Sequence, residues 1–330
     1  MKLGDFSATE WVAISKGLAT HIGPFNWYRR YRKRGGNTED PAYCYSVWLR
    51  HICTMRKFGW HPAGAKVCEL GPGNSVGTGI AALLSGVESY LGLDAFPYPL
   101  AANQKRTNDL IRKLAELYAT KSPIPGPNQF PKIRPELEKY DFPSWLFTGE
   151  GAERNISRCE TLATGAGCDL ILKRLVYLAP YENMDLSELS GTFDALFSQA
   201  VLEHVKDVAG TYRMIFRLLK PSGWSWHVID FRSHGLSSEW NGHWRYPEWL
   251  WRVVVGQREF LLNRVPLENH IELATQAGFK IEAALPYREG EHPALGSKSE
   301  WGPESFAPPF NQMSKAGAST MGAMLILQKP

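Results

Sequence analysis

Cysteine is scarce in this 330-residue chain, and none of it is placed to act in pairs. The five residues, Cys44, Cys53, Cys68, Cys159 and Cys168, are scattered, odd in number and without CxxC spacing. That excludes a disulfide framework and a structural zinc site, and it fits a reducing, cytoplasmic setting. Long apolar runs are missing as well. Uncharged stretches such as 74–87 fall short of the roughly 18 apolar residues a spanning helix needs, so no membrane span is expected. The start, MKLGDFSATEW, has no apolar signal core, so export is not expected. Excess charge of one sign is small, with 37 Lys and Arg against 33 Asp and Glu. The net charge of +4 is too slight to argue for nucleic acid by itself. There is no internal repeat and no low-complexity run.

What is present belongs to a folded globular protein: 44% hydrophobic and 21% charged residues. At roughly 100–200 residues per domain, the length fits one large domain with insertions, or two. Tryptophan stands out, with 12 copies. Trp224, Trp226, Trp240, Trp244, Trp249 and Trp251 crowd into 28 residues. Such aromatic surface serves either a core or a substrate pocket.

Along the chain, residues 1–60 read as a helical cap. Within them, Phe25 to Arg34 (FNWYRRYRKR) is a basic, aromatic cluster, read either as a solvated helix end or as a patch for an anionic surface or charged glycan. Residues 61–330 then read as the main domain. KVCELGPG is a buried strand entering a glycine turn, SVGTGIAALLSG a helix, and SYLGLDAF a second strand. Strand–turn–helix–strand opens a doubly wound α/β sheet. Residues 97–120 look helical. RLVYLAP, TFDALFS, WSWHVIDF, KIEAALPY and MGAMLILQK read as further strands, with KPSG as a turn before the fifth. About eighty residues separate the second and third strands, far more than a crossover needs. Residues 121–172 are therefore read as an insertion, and 232–265 as another.

The chemistry centres on Glu69-Leu70-Gly71-Pro72-Gly73-Asn74-Ser75-Val76-Gly77, followed by Asp94 at the end of the next strand. Gly71 and Gly73 allow a sharp turn and a close ligand approach. Asp94, 23 residues after Gly71, is placed to accept hydrogen bonds from a ribose diol. A nucleoside cofactor is expected. Val76 stands where the dinucleotide fingerprint needs glycine, and no GKS or GKT marks a P-loop. Glu69 is awkward for a pyrophosphate and suits a ligand with a cationic end.

These motifs resemble the class I S-adenosylmethionine (SAM)-dependent methyltransferases. VCELGPGNSVG is similar to their first motif and YLGLDAF to their second. FDALFSQAVLEHVKDVAGTYRMIFRLLKPSG is similar to their fourth strand with its helix and turn. The resemblance covers about 67–100 and 175–285. It implies a Rossmann-like α/β sheet of seven mostly parallel strands, with SAM as cofactor and S-adenosylhomocysteine as product. It also implies that Glu69, Gly71, Gly73, Asn74 and Ser75 pass the methionine part. Asp94 and Ala95 would meet the ribose. Pro180, Tyr181 and Glu182 would flank the adenine, and Ser198 and Gln199 would line the floor near the sulfonium. SVWLRH, IDFRSHG and WNGHW extend the resemblance to uncharacterised bacterial methyltransferases associated with surface-polysaccharide gene sets.

Methyl transfer needs positioning and, for a hydroxyl acceptor, a base. Candidate bases at strand ends are His204 and His234, with Asp230 to orient one of them. Arg232, Trp240, Asn241, His243 and Trp244 are candidate acceptor-binding residues, with Trp240 and Trp244 as pocket walls. Trp224 and Trp226, alternating along a strand, read as packing residues. Trp249 and Trp251 read as core of the 232–265 insertion. No metal is expected, because Glu203 and His204 alone are too few ligands. The expected activity is O-methylation of a sugar hydroxyl in a glycan or nucleotide sugar. A small natural product as acceptor, or a SAM-binding module without catalysis, are the alternatives. Nucleic acid is not expected as a substrate, since no NPPY-type motif or RNA-binding module is present.

Overall fold

The computed structural model describes residues 6–22, 38–98, 103–148, 152–291 and 298–330. The basic cluster at 25–34 lies outside them. Seven strands form one sheet in the order β3-β2-β1-β4-β5-β7-β6. They are β1 (Lys66–Leu70), β2 (Ser89–Leu93), β3 (Leu175–Leu178), β4 (Phe193–Gln199), β5 (Leu219–Asp230), β6 (Lys280–Arg288) and β7 (Thr320–Gln328). β1 pairs in parallel with β2 and with β4, and β2 with β3. β7 runs antiparallel to β5: Lys329 donates to Gly223 at one end, and Phe231 donates to Met321 at the other. The sheet is therefore mixed, as an α/β methyltransferase sheet is.

By its contacts the chain divides into two compact units. One comprises Arg34–Gln199, Met214–Trp226 and Gln328–Pro330; the other comprises Met1–Lys33, Ala200–Arg213 and His227–Leu327. The first, called here the glycine-turn unit, holds β1 to β4. β1 and β2 are short and almost wholly buried, as expected of strands covered on both faces. Helix α1 (Ala8–Ala19) belongs to the other unit, and α2 (Pro41–Arg56) opens this one. Pro41 sits in its first turn, and the Asp40 carboxylate accepts from the Ala42 N–H at 2.8 Å, so the helix starts where the sequence supplies a cap. Helix α3 (Gly77–Leu84) follows the glycine turn, and α4 (Gln104–Ala119) follows β2. The 121–172 stretch supplies α5 (Ala152–Ala163) and α6 (Cys168–Leu172), and α5 packs on α4. The core is aromatic. Trp60 and Trp226 meet at 4.9 Å between ring centroids, Trp48 and Phe197 at 5.4 Å, and Phe197 stacks on Trp226 at 5.9 Å. Trp226 is buried and Trp224 half-buried.

The second unit, the histidine unit, packs α1 against α8 (Glu248–Val255), which follows α7 (Val208–Leu218) in the chain. Ala13, Ile14, Leu236, Tyr246, Leu250, Trp251, Val254 and Leu262 form a core cluster there. Gly17 is required at the crossing, because a Cβ would collide with the carbonyls of Val253 and Val254. Glu10, buried in α1, receives hydrogen bonds from the Ser237 hydroxyl (2.6 Å) and the Ser238 N–H (3.0 Å). Burial raises its pKa, but these bonds and those at Ser7 outweigh burial and hold it at about 2. Helices α9 (Leu267–Gln276) and α10 (Lys315–Ala318) complete the described helices.

Two local expectations change. KPSG, read as a turn, lies inside β5, whose first residues run on from α7. Ser222 takes a positive φ of 61°, so the turn-forming conformation persists within the strand. Trp249, read as core, is 63% exposed, whereas Trp251 is buried. The two are two residues apart on α8 and so face different sides of it.

Candidate functional site

The glycine-turn unit assembles the first constellation. β1 ends at Leu70, and Gly71 donates its N–H to Leu93 at 2.8 Å. Gly71 and Gly73 take φ of 71° and 76°, the left-handed region that glycine enters without strain. The turn is tied to the end of β2 by the Gly73 N–H, which donates to the Asp94 carboxylate at 2.9 Å. Phe96 donates to the other Asp94 oxygen at 3.1 Å, and Tyr181 donates its backbone N–H to the Asp94 carbonyl at 3.0 Å. Asp94 is 5% exposed, and its pKa is raised by burial, tempered by the N–H groups of Phe96 and Gly73. Glu69 is buried and accepts from the Tyr90 hydroxyl at 2.5 Å. Burial, partly offset by that hydroxyl and increased by Asp94, pushes Glu69 up to about 8.

The remaining cofactor candidates line the same strand ends. Asn74 and Ser75 are buried in the turn. The Ser75 hydroxyl donates to the Thr38 carbonyl, and its N–H donates to the Thr38 hydroxyl at 3.2 Å. The segment before α2 thus lies against the glycine turn, a contact no local pattern announces. Ala95 is half-buried, Tyr181 buried and Glu182 exposed. Ser198 is buried opposite Leu70 in the β1–β4 register, and Gln199 follows it at the end of β4.

Reasoning from sequence missed His51, on α2. It is fully buried, and its Nε2 lies 2.8 Å from Gln199 Oε1. Its Nδ1 receives the Trp226 indole N–H at 2.9 Å. A histidine on an apolar helix face offered no chemical signal.

The histidine unit holds the second constellation. Asp230, at the end of β5, accepts two bonds from the Arg232 guanidinium, at 2.8 and 2.6 Å. His234 Nε2 lies 3.1 Å from the same carboxylate. Burial raises the Asp230 pKa, but the Arg232 and His234 bonds outweigh it and hold the carboxyl below its usual range. His234 has φ of 49°, and its side chain is one-third exposed at 33%. Its ring is 5.4 Å from that of His204. Burial, helped by His234, lowers His204 to about 4. The structure thus brings all three candidate catalytic residues together.

The five acceptor candidates lie in this unit too, and most are already engaged. Arg232 is held by Asp230. Trp240 donates its indole N–H to Glu289 at 3.0 Å. Asn241 is buried, donating to the Trp301 carbonyl at 2.9 Å and accepting from the Ser299 hydroxyl at 2.7 Å. His243 is buried, its pKa lowered to about 3 by burial and by Arg264 and His234. Trp244 is buried at 1% exposure, donates to the Arg264 carbonyl at 3.0 Å and packs on Phe306 at 5.6 Å. His243 and Trp244 border a narrow cavity of about 10 Å³ that Glu203, Asp230, Arg232 and Asn263 also line. Among the described residues, neither Glu203 carboxyl oxygen meets a hydrogen-bond partner, and burial pushes its pKa far up. No group of three or more metal-ligating side chains occurs among the described residues.

The model of a family described as a methyltransferase domain matches residues 50–284, which is more than half of the chain. The chain belongs to that methyltransferase family. In structure, the methyltransferase is similar to a SAM-dependent methyltransferase from Mesorhizobium loti, with 12% identity, coverage of 85% of this chain and 98% of that one, and a TM-score of 0.41. It is also similar to phosphoethanolamine N-methyltransferase 2 of Haemonchus contortus, with 15% identity, coverage of 86% and 53%, and a TM-score of 0.42. A third likeness is to a geranyl diphosphate methyltransferase, with 9% identity, coverage of 88% and 85%, and a TM-score of 0.43. No curated protein matches the chain.

The donor set of the methyltransferase's glycine turn fits SAM. Glu69 and Asp94 are buried carboxyls, and neither has an ion-pair partner among the described residues. Burying such groups without a cation is costly. A ligand with an ammonium group and a ribose diol supplies the missing partners. Among the described residues, no helix is long and apolar enough to cross a membrane.

Proposed function

We propose that this methyltransferase uses SAM to methylate a hydroxyl oxygen on a sugar, in a glycan or a nucleotide sugar, with His234 as general base. The observation that carries the reading is the Asp230–His234 pair at 3.1 Å, braced by Arg232. Transfer to an amine or thiol has little need of a positioned base, and transfer to a hydroxyl does.

SAM, when bound, supplies a methyl group made electrophilic by its sulfonium. Glu69 would hold the ammonium group, and Asp94 the ribose hydroxyls. Each Asp94 oxygen accepts one backbone N–H and keeps a lone pair for this. Asp230, ionised, faces His234 Nε2, so the ring proton belongs there and Nδ1 is the bare nitrogen. Nδ1 would take the hydroxyl proton, and Asp230 would stabilise the resulting imidazolium, as an orienting carboxylate does in other histidine bases. His204, held neutral, is the weaker candidate as a base but can accept a hydrogen bond.

The test is transfer of tritium from methyl-labelled SAM to purified nucleotide sugars and oligosaccharides, with a metabolite pool alongside. Label in an alkali-stable sugar ether is expected. Label confined to non-sugar metabolites would overturn the sugar assignment. Binding of SAM with no turnover on any acceptor would favour a non-catalytic module.

A further inference from the structure

His51 and Trp226 give Gln199 a fixed polarity. A tryptophan indole has one N–H and no acceptor, so in the 2.9 Å contact it must donate to His51 Nδ1. Nδ1 is therefore bare. A neutral imidazole carries its single proton on the other nitrogen, so Nε2 is the donor in the 2.8 Å contact with Gln199. The Gln199 atom that receives it must be the carbonyl oxygen. All three side chains lie in one unit, and His51 and Trp226 are fully buried, so neither ring can exchange its partner for water. Burial lowers His51 to about 4, which keeps it neutral at physiological pH.

What remains of the carboxamide is its NH2 group. Gln199 is half-buried, ends β4, and lies one residue past the Leu70–Ser198 pair that closes the β1–β4 register, just as Gly71 follows Leu70 into the glycine turn. The amide nitrogen has no hydrogen-bond partner among the described residues. Ala200, the next residue, is exposed with φ of 54°, so the chain turns away at this point and leaves the amide at the strand end.

We infer that the Trp226–His51 pair locks the Gln199 amide with its N–H donors outward, so that this position donates to an acceptor atom bearing lone pairs, a hydroxyl or carboxylate oxygen. The inference rests on the methyltransferase reading above and narrows its substrate class. His51 is a positioning residue, since it acts through Gln199. An oxygen accepts one of these donors and is oriented by it, whereas a group with no lone pair would leave them unpaired.

Three measurements test it. Long-range ¹H–¹⁵N NMR of the full chain should show His51 as the Nε2–H tautomer from pH 6 to 9; an Nδ1–H tautomer would overturn the inference whatever the acceptor proves to be. Gln199→Glu replaces the outward donors by an acceptor, and should lower kcat/KM for free sugars and methyl glycosides about 100-fold. Unchanged turnover of those hydroxyl acceptors would overturn the inference. His51→Leu should lower kcat about 10- to 100-fold with less than about a 3-fold change in SAM affinity, and His51→Gln, which can bridge Trp226 and Gln199, should recover most of the loss. Equal losses in the two His51 variants would mark a packing role only. Failure of the wild-type protein to bind SAM would sink the function proposed above and leave the tautomer result standing.

Discussion

The two units treat their buried acids in opposite ways. In the glycine-turn unit, Glu69 and Asp94 are buried beside a hydroxyl and backbone N–H groups, with no cation among the described residues, and burial raises both pKa values. In the histidine unit, Asp230 has a bidentate arginine and a histidine, and its pKa is driven down. An acid left uncompensated is a site waiting for a positive ligand. An acid already satisfied is a bracket that holds other side chains still. On the function proposed above, the first unit would hold the cationic cofactor and the second would supply the proton acceptor. Glu203 is the exception in the histidine unit, a buried carboxyl without hydrogen-bond partners among the described residues, on a cavity too narrow for more than a small polar group.

The largest effect expected from breaking this contrast falls on catalysis. His234→Ala should lower kcat by about 10²–10⁴ while leaving SAM affinity intact, measured by steady-state kinetics and calorimetry. A change in kcat below 3-fold would remove the base from the histidine unit. Next comes Trp244→Ala, which empties a buried site and should destabilise by about 3–5 kcal/mol in denaturant unfolding. Its burial makes it a core residue first, so a large loss of acceptor use with unchanged stability would restore the pocket-wall role.

Asp94→Asn should weaken SAM binding about 10- to 100-fold, because charge-assisted hydrogen bonds to the ribose are lost. The smallest effect concerns protons. With Glu69 raised to about 8, the free protein holds its proton at neutral pH, and binding an ammonium should expel it. SAM affinity should therefore rise with pH between about 6 and 8, with proton release of order one seen by calorimetry in two buffers. Glu69→Gln should abolish that release. Folding stability follows the same contrast. Glu69, raised in the fold, withdraws stability as pH climbs from 4.5 to about 8. His51, lowered from 6.5 to about 4, withdraws it as pH falls across that range, and His204, His243 and His270 in the other unit do likewise. Hydrogen exchange at pH 4.5 should show the histidine unit loosening first; uniform loosening would erase the distinction.

The strand, glycine turn, helix, strand and acid from Lys66 to Asp94 were legible because each is a local property. A buried apolar run, two glycines and a carboxylate at fixed spacing need no distant partner to be recognised. The Asp230–His234 pair was nearly as legible, since its members are four residues apart, but Arg232, expected at the acceptor, is held by Asp230 instead. The fates of the aromatic and amide residues were not. Asn241 looks identical in sequence whether it faces an acceptor or, as here, Trp301 and Ser299. Trp249 and Trp251 share one helix, and only packing against α1 decided which of them is buried.

By itself, then, the amino-acid order determined the α/β class, the glycine turn and the position of two acids beside it. Only the tertiary structure decided which of the polar side chains remain available. It brought His51 to Gln199 across 148 positions and set Trp226 behind both. The reason is that hydrogen-bond capacity is finite. A donor or acceptor can serve a substrate only if the fold has not already used it, and that depends on neighbours far away in the chain.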